Sequence, residues 1–196
     1  VREGGPLRGP VDHAVPVLTV RNSRDDLLAV MAGYACHPTV LSDTRWCGDY
    51  PGIMQAALEK RYPGATALFW TGCGGDQNPL PRRSPELCAR YGDMLAQAVE
   101  DVLAHPMRPG GPDLAAEKET LSLDFDRVLG KDDFEKERSS ANALRARWAR
   151  RMLARIAGGE VLPRAVPYDV QVWRLGDNLR WITLGGEAVV DYSLRF

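Results

Sequence analysis

The chain has 196 residues, 44% of them hydrophobic and 26% charged, the balance of a soluble folded domain with material for one sizeable core. Its net charge of −1 gives no general attraction to nucleic acid, and no apolar run nears the roughly 20 residues of a membrane-spanning helix. Cys36, Cys47, Cys73 and Cys88 stand 11, 26 and 15 residues apart, which fits no zinc-ribbon or zinc-finger pattern. A Cys47–Cys73 disulfide stays open beside the plainer reading of small buried thiols. The sequence opens on Val1 and stops at Phe196 inside an element, so it reads as a piece of a longer chain, with any signal peptide lost with the front end.

Residues 1–14, with Gly4, Gly5, Pro6, Gly9 and Pro10, read as an extended lead-in. Val15 to Val20 alternates as a strand, and Asn22 to Asp26 turns it into an apolar strand over Leu27–Ala35, an antiparallel hairpin. Asp49, just before Pro51, is placed as the N-cap of a short helix with Ile53, Ala56, Ala57 and Lys60 along one side. Tyr62-Pro63-Gly64 ends that helix, and Ala65–Trp70 is a second buried strand. Ser84-Pro85-Glu86 opens a further helix, along which Leu87, Tyr91, Leu95, Ala98 and Val102 recur at helical spacing.

Glu117 to Phe125 alternates as a strand with Leu121, Leu123 and Phe125 on one face. Lys131 to Ala157 reads as one long helix, its stripe Ala141, Leu144, Trp148, Met152 and Ile156, its outer face Arg145, Arg147, Arg150, Arg151 and Arg155. Such a face suits lipid headgroups or nucleic acid. The acidic residues Asp132, Asp133, Glu135 and Glu137 just upstream favour a solvated face instead. Tyr168–Leu175 and Leu179–Leu184 make a hairpin around Gly176-Asp177-Asn178 that leads into Gly185-Gly186-Glu187. The order β-β-α-β-α-β-α-β-β indicates a single α/β domain, a mixed β-sheet flanked by helices.

Two stretches hold the chemistry. Tyr34-Ala35-Cys36-His37-Pro38-Thr39, with Asp49-Tyr50-Pro51-Gly52 after it, follows one buried strand. Thr71-Gly72-Cys73-Gly74-Gly75-Asp76-Gln77-Asn78-Pro79 follows the next. Polar, glycine-rich clusters at strand ends are where open α/β sheets place their sites. His37 can bind a metal or act as a base, or simply hydrogen-bond within the fold. Glu187, after two glycines, is either a hard-oxygen metal ligand or a solvent-facing turn residue.

Asp76 can orient a ligand or a water, or form the turn. His13 and His105 lie in loops outside these stretches. The glycine loop lacks a phosphate-binding signature, and Pro79 and Pro81 keep a helix from opening after it. Cys36 or Cys73 could serve as a nucleophile, but neighbouring Cys36 and His37 point to opposite faces of a strand and cannot work as a pair.

Taken together, Gly9-Pro10-Val11-Asp12, Ala35-Cys36-His37-Pro38-Thr39, Gly48-Asp49-Tyr50-Pro51-Gly52, Gly75-Asp76-Gln77-Asn78-Pro79 and Gly185-Gly186-Glu187 resemble the neutral/alkaline ceramidase family over most of the chain. The resemblance implies a partial catalytic domain of a zinc-dependent amidase that releases a fatty acid from the sphingoid base of ceramide, in a secreted or periplasmic setting. It implies His37 and Glu187 as zinc ligands. The family's other two ligands, a histidine and a tyrosine, would fall before Val1 and after Phe196, and Tyr192 does not match the tyrosine. Half a zinc site would not work alone.

The family has a serine where this chain has Asn78, and an asparagine can position a carbonyl or water without copying a hydroxyl. Another small-molecule or lipid-like amide substrate therefore fits as well as ceramide. The expected mechanism is amide hydrolysis with Zn2+ as cofactor, Asp76 and Asn78 lining the pocket as catalytic residues. A metal-independent cysteine hydrolase and a binding domain that has lost its chemistry are the other readings. No nucleic-acid partner is expected, and the oligomeric state is open.

Overall fold

The computed structural model describes residues 9–196. Gly4, Gly5 and Pro6 of the expected lead-in lie outside the described residues. In chain order the elements are β1 (Val17–Arg21), β2 (Leu27–Tyr34), α1 (Asp49–Arg61), β3 (Thr66–Thr71) and α2 (Pro85–Leu103). Then follow β4 (Leu114–Asp124), α3 (Lys131–Glu137), α4 (Ala143–Ala157), β5 (Ala165–Leu175), β6 (Leu179–Leu184) and α5 (Val190–Arg195). The class is α/β, as the order of elements indicates, but the strands form two three-stranded sheets instead of one. Each sheet belongs to its own compact unit: one takes the chain to Gly111 and again from Gly186 to Phe196, the other is Pro112–Gly185. Among the described residues no helix is long and apolar enough to cross a membrane.

In the first unit β1 pairs antiparallel with β2, and β2 pairs parallel with β3. The β1–β2 turn closes on Asn22, whose side-chain oxygen accepts the N–H groups of Arg24 and Asp26 at 2.9 Å each. A parallel neighbour needs a crossover, and α1 supplies it between β2 and β3. The core gathers Val30 and Ala32 of β2, Ala67 of β3, Met54 and Leu58 of α1, and Leu95, Ala96 and Val99 of α2. Burying Met54 and Leu58 contributes roughly 1.5–3 kcal/mol each. α2 begins as its sequence indicates: Ser84 is the N-cap, its hydroxyl accepting the N–H of Leu87 at 3.2 Å, with Pro85 in the first turn.

Two expectations for α1 are corrected. The buried stripe is Tyr50, Met54 and Leu58, while Ala56 and Lys60 are exposed. The cap position falls to Gly48, and Asp49 opens the helix span at a left-handed φ of 52° that Asp tolerates better than most residues. The Asp49 carboxylate, only 6% exposed, turns back to accept the N–H groups of Val40 (3.2 Å), Leu41 (2.9 Å) and Tyr50 (2.8 Å). It pins the loop after His37 to the start of α1, a tie across nine residues that local spacing does not reveal.

In the second unit β5 lies between β4 and β6, antiparallel to both, and Gly176-Asp177-Asn178 turns the β5–β6 hairpin as expected. Leu121 and Leu123 stand opposite Tyr168 and Val166 and, with Phe125, stay exposed among the described residues. The expected long helix over 131–157 is instead two. Asn142 accepts the N–H groups of Leu144 (3.0 Å) and Arg145 (3.2 Å), which caps a new helix and ends any continuation of the first. Phe134 of α3 is buried beneath α4, and this sets the rotation of α4: Ala146, Ala149 and Met152 face inward. Leu144 and Trp148, expected inside, lie on the outer side.

Candidate active site

His37 and Glu187, 150 positions apart, are neighbours: His37 Nε2 stands 3.5 Å from Glu187 Oε1. The imidazole is 24% exposed and the carboxylate 77%, so the pair opens to solvent from the Glu187 side. His37 follows β2, and its backbone N–H and Nδ1 both meet the carbonyl of Gln77, at 3.0 and 2.8 Å. A carbonyl can only accept, so Nδ1 carries the proton of that bond and the outward-facing nitrogen is Nε2.

The glycine loop after β3 brackets both residues. On one side Gln77 holds His37. On the other, the N–H of Gly75 donates to Ala188 O at 2.8 Å, and Asp76 Oδ1 accepts the N–H of Val190 at 3.0 Å, at the start of α5. The fit is close enough to demand glycine. A Cβ on Gly75 would stand 2.3 Å from the carbonyl oxygen of Glu187, and one on Gly74 would stand 2.8 Å from the backbone nitrogen of Cys36. The two glycines thus lie between the histidine segment and the glutamate segment, a role for which the Gly-Gly doublet was the only signal in the sequence.

Asp76 and Asn78, expected to line the pocket, have defined partners. The Val190 N–H, then the Gln77 side-chain amide, hold the Asp76 carboxyl below the ordinary carboxylate range. Asp76 therefore stays ionised and anchors α5 next to Glu187. Asn78 Oδ1 accepts from Thr39 Oγ1 at 3.3 Å and from Arg82 Nη1 at 3.2 Å. Arg82 also reaches Thr39 Oγ1, at 3.5 Å. This Thr39–Asn78–Arg82 cluster ties the loop after His37 to the loop after β3, and sequence reading passed over Arg82 because nothing in its neighbourhood marks it.

All four cysteines are free, so the Cys47–Cys73 disulfide is absent and Cys47 is exposed. Burial, reinforced by the charge of Asp49, pushes the Cys36 thiol up to about 11. Burial also raises Cys73, and takes Cys88 to about 11. Protonated thiols are poor nucleophiles, which works against a cysteine mechanism at Cys36 or Cys73. Tyr50 donates its hydroxyl to Cys36 O at 2.8 Å, and its own ionisation is pushed far upward, chiefly by burial.

Imidazole nitrogen and carboxylate oxygen are donors that suit zinc, and a histidine whose other nitrogen is bound to a carbonyl is the usual form of such a ligand. His37 and Glu187 fit two positions of a zinc site on that ground. Among the described residues no group of three or more His, Cys, Asp or Glu side chains could hold a metal, so the pair makes up two donors and no more.

No protein-family model matches the sequence, and no curated protein matches it. Solved structures do. The neutral ceramidase of Pseudomonas aeruginosa superposes with a TM-score of 0.57 at 14% identity, over 85% of this chain and 33% of its own. A ceramidase complexed with C2 superposes with a TM-score of 0.66 at 13% identity, over 94% of this chain and 38% of its own. The chain thus spans between a third and two fifths of the length of these ceramidases. At such identities the likeness speaks for the fold, and the fold of this chain is ceramidase-like.

Proposed function

We propose that the chain carries part of the active site of a zinc-dependent hydrolase of linear amides, ceramide or a lipid-like relative. The single observation behind this reading is the 3.5 Å approach of His37 Nε2 to Glu187 Oε1 on a ceramidase-like fold. His37 would offer Nε2, its tautomer set by the Gln77 carbonyl, and Glu187 its carboxylate oxygens. The remaining donors would come from polypeptide beyond these residues. Zinc, when bound, supplies a Lewis acid that polarises a carbonyl and acidifies water.

The chain's own residues do the positioning. Gly74 and Gly75 let the two ligand segments close on one loop, and Asp76 fixes the segment after Glu187. Asn78, its oxygen engaged by Thr39 and Arg82, would present its amide N–H groups to a substrate oxygen. The substrate would come from outside the pair, across the exposed face of Glu187.

The test is hydrolysis of an N-acyl amide by the complete protein beside His37→Ala and Glu187→Ala. Each variant is expected to lose activity at least a hundredfold, and a chelator is expected to inactivate the parent until zinc is restored. Full activity in either variant would contradict the ligand assignment. Indifference to chelator together with inactivation by a thiol reagent would point to a cysteine hydrolase.

A further inference from the structure

We propose that the outer face of α4 docks the protein on anionic phospholipid headgroups. The inference is independent of the metal site. α4 carries Arg145, Arg147, Arg150, Arg151 and Arg155 and no acidic residue, in a chain whose net charge is −1, so positive charge is concentrated here. Three of these arginines have local partners. Arg145 pairs with Glu137 at 3.5 Å, Arg155 with Glu160, and Arg150 donates to the Arg138 carbonyl at 3.1 Å. Arg147 and Arg151, one turn apart, are exposed and have no acidic partner among the described residues.

The apolar residues beside them separate a solvated face from a docking face. Leu144, one turn before Arg147 and Trp148, is 68% exposed, and Trp148 is 39% exposed. Neither belongs to the inner stripe, which is already filled by Ala146, Ala149 and Met152. Trp148 is also held in place: its ring meets buried Phe134 edge-on, with centroids 5.1 Å apart and planes at 75°. One helix face therefore presents two free guanidinium groups, a fixed indole and an exposed leucine. At a membrane surface each has a place: arginine on phosphate, indole at headgroup level, leucine toward the acyl chains. A nucleic-acid backbone would satisfy the arginines and leave Leu144 in water, which favours the lipid surface.

The experiment is co-sedimentation of the full chain with vesicles of phosphatidylcholine alone and of phosphatidylcholine mixed with phosphatidylserine. Binding is expected to the mixed vesicles only, and to weaken as salt rises. Arg147→Gln with Arg151→Gln is expected to reduce it about thirtyfold, since each basic side chain near an anionic leaflet contributes about fivefold. Leu144→Ser is expected to reduce it severalfold while leaving the helix signal in circular dichroism unchanged. Equal binding to both vesicle types, or none to either, overturns the proposal. Retention on duplex DNA, with vesicle binding untouched by Leu144→Ser, would make this a nucleic-acid face and overturn it too. If the arginine variant fails to fold, the lipid comparison on the parent chain and the Leu144→Ser variant decide the matter.

Discussion

Gly75 is pressed against Glu187: its N–H donates to the carbonyl of Ala188 at 2.8 Å, and a methyl group at its Cα would meet the Glu187 carbonyl oxygen at 2.3 Å. Backbone atoms cannot move out of the way as a flexible side chain can. Gly75→Ala is therefore expected to destabilise the chain by about 1–3 kcal/mol in urea unfolding. It is also expected to push Glu187 away from His37, weakening zinc binding at least tenfold. Unchanged stability and unchanged binding would mean that the loop does not bracket the pair as described.

Asp49 should matter for stability more than its place at a helix start suggests. Its buried carboxylate accepts three backbone N–H groups, which would lose that partner together. Asp49→Ala is expected to cost about 3 kcal/mol, and Asp49→Asn less, because one side-chain oxygen remains to accept. Chemical denaturation checks this, and a loss within about 0.5 kcal/mol would contradict it.

The pH dependence of Asp76 has a defined sign. Its folded carboxyl is held below the ordinary value by the Val190 N–H and the Gln77 amide, so the ionised form is favoured in the folded state. Its contribution to stability is fully present above the unfolded carboxylate pKa of about 3.9 and is lost as pH falls through the lower folded value. Parent and Asp76→Ala should therefore differ in unfolding midpoint at neutral pH and converge in strong acid. A gap that widened on acidification would reverse the sign and contradict the assignment.

Thiol chemistry should sort the cysteines by burial. Exposed Cys47 is expected to react with iodoacetamide well before Cys36 and Cys88, which are buried and held protonated. A reductant should leave the melting temperature unchanged, because all four thiols are free. Mass spectrometry of labelled peptides over time checks the order. Early labelling of Cys36 would contradict its burial.

Much of the fold could be read from local chemistry. The Asn22 turn, Pro51 in the first turn of α1, the Ser84-Pro85 start and the Gly176-Asp177-Asn178 turn each act within a few residues and each appears in the structure. What could not be read depends on partners far away in sequence. Helical spacing along α1 admits several stripes, and only the sheet and α2 decide that Met54 and Leu58 are buried while Ala56 is not. The break before α4 was hidden because the spacing of Ala141, Leu144, Trp148 and Met152 runs across Asn142 as one helical stripe, and the cap is visible only once the side chain is seen on Leu144 and Arg145.

The candidate site divides in the same way. His37 and Glu187 were legible as residue types at strand ends. That they meet, and that Gly74, Gly75 and the Gln77 carbonyl bring them together, follows from contacts spanning 38 to 114 positions along the chain.

The most direct measurement of the central claim is zinc content by mass spectrometry on the chain extended at both ends, with His37→Ala and Glu187→Ala beside it. The account expects about one zinc per chain in the parent, the single structural or catalytic ion of such a site, and loss of that zinc in both variants. Full zinc retention in either variant, or a parent that binds none, would contradict the assignment of His37 and Glu187 as metal ligands.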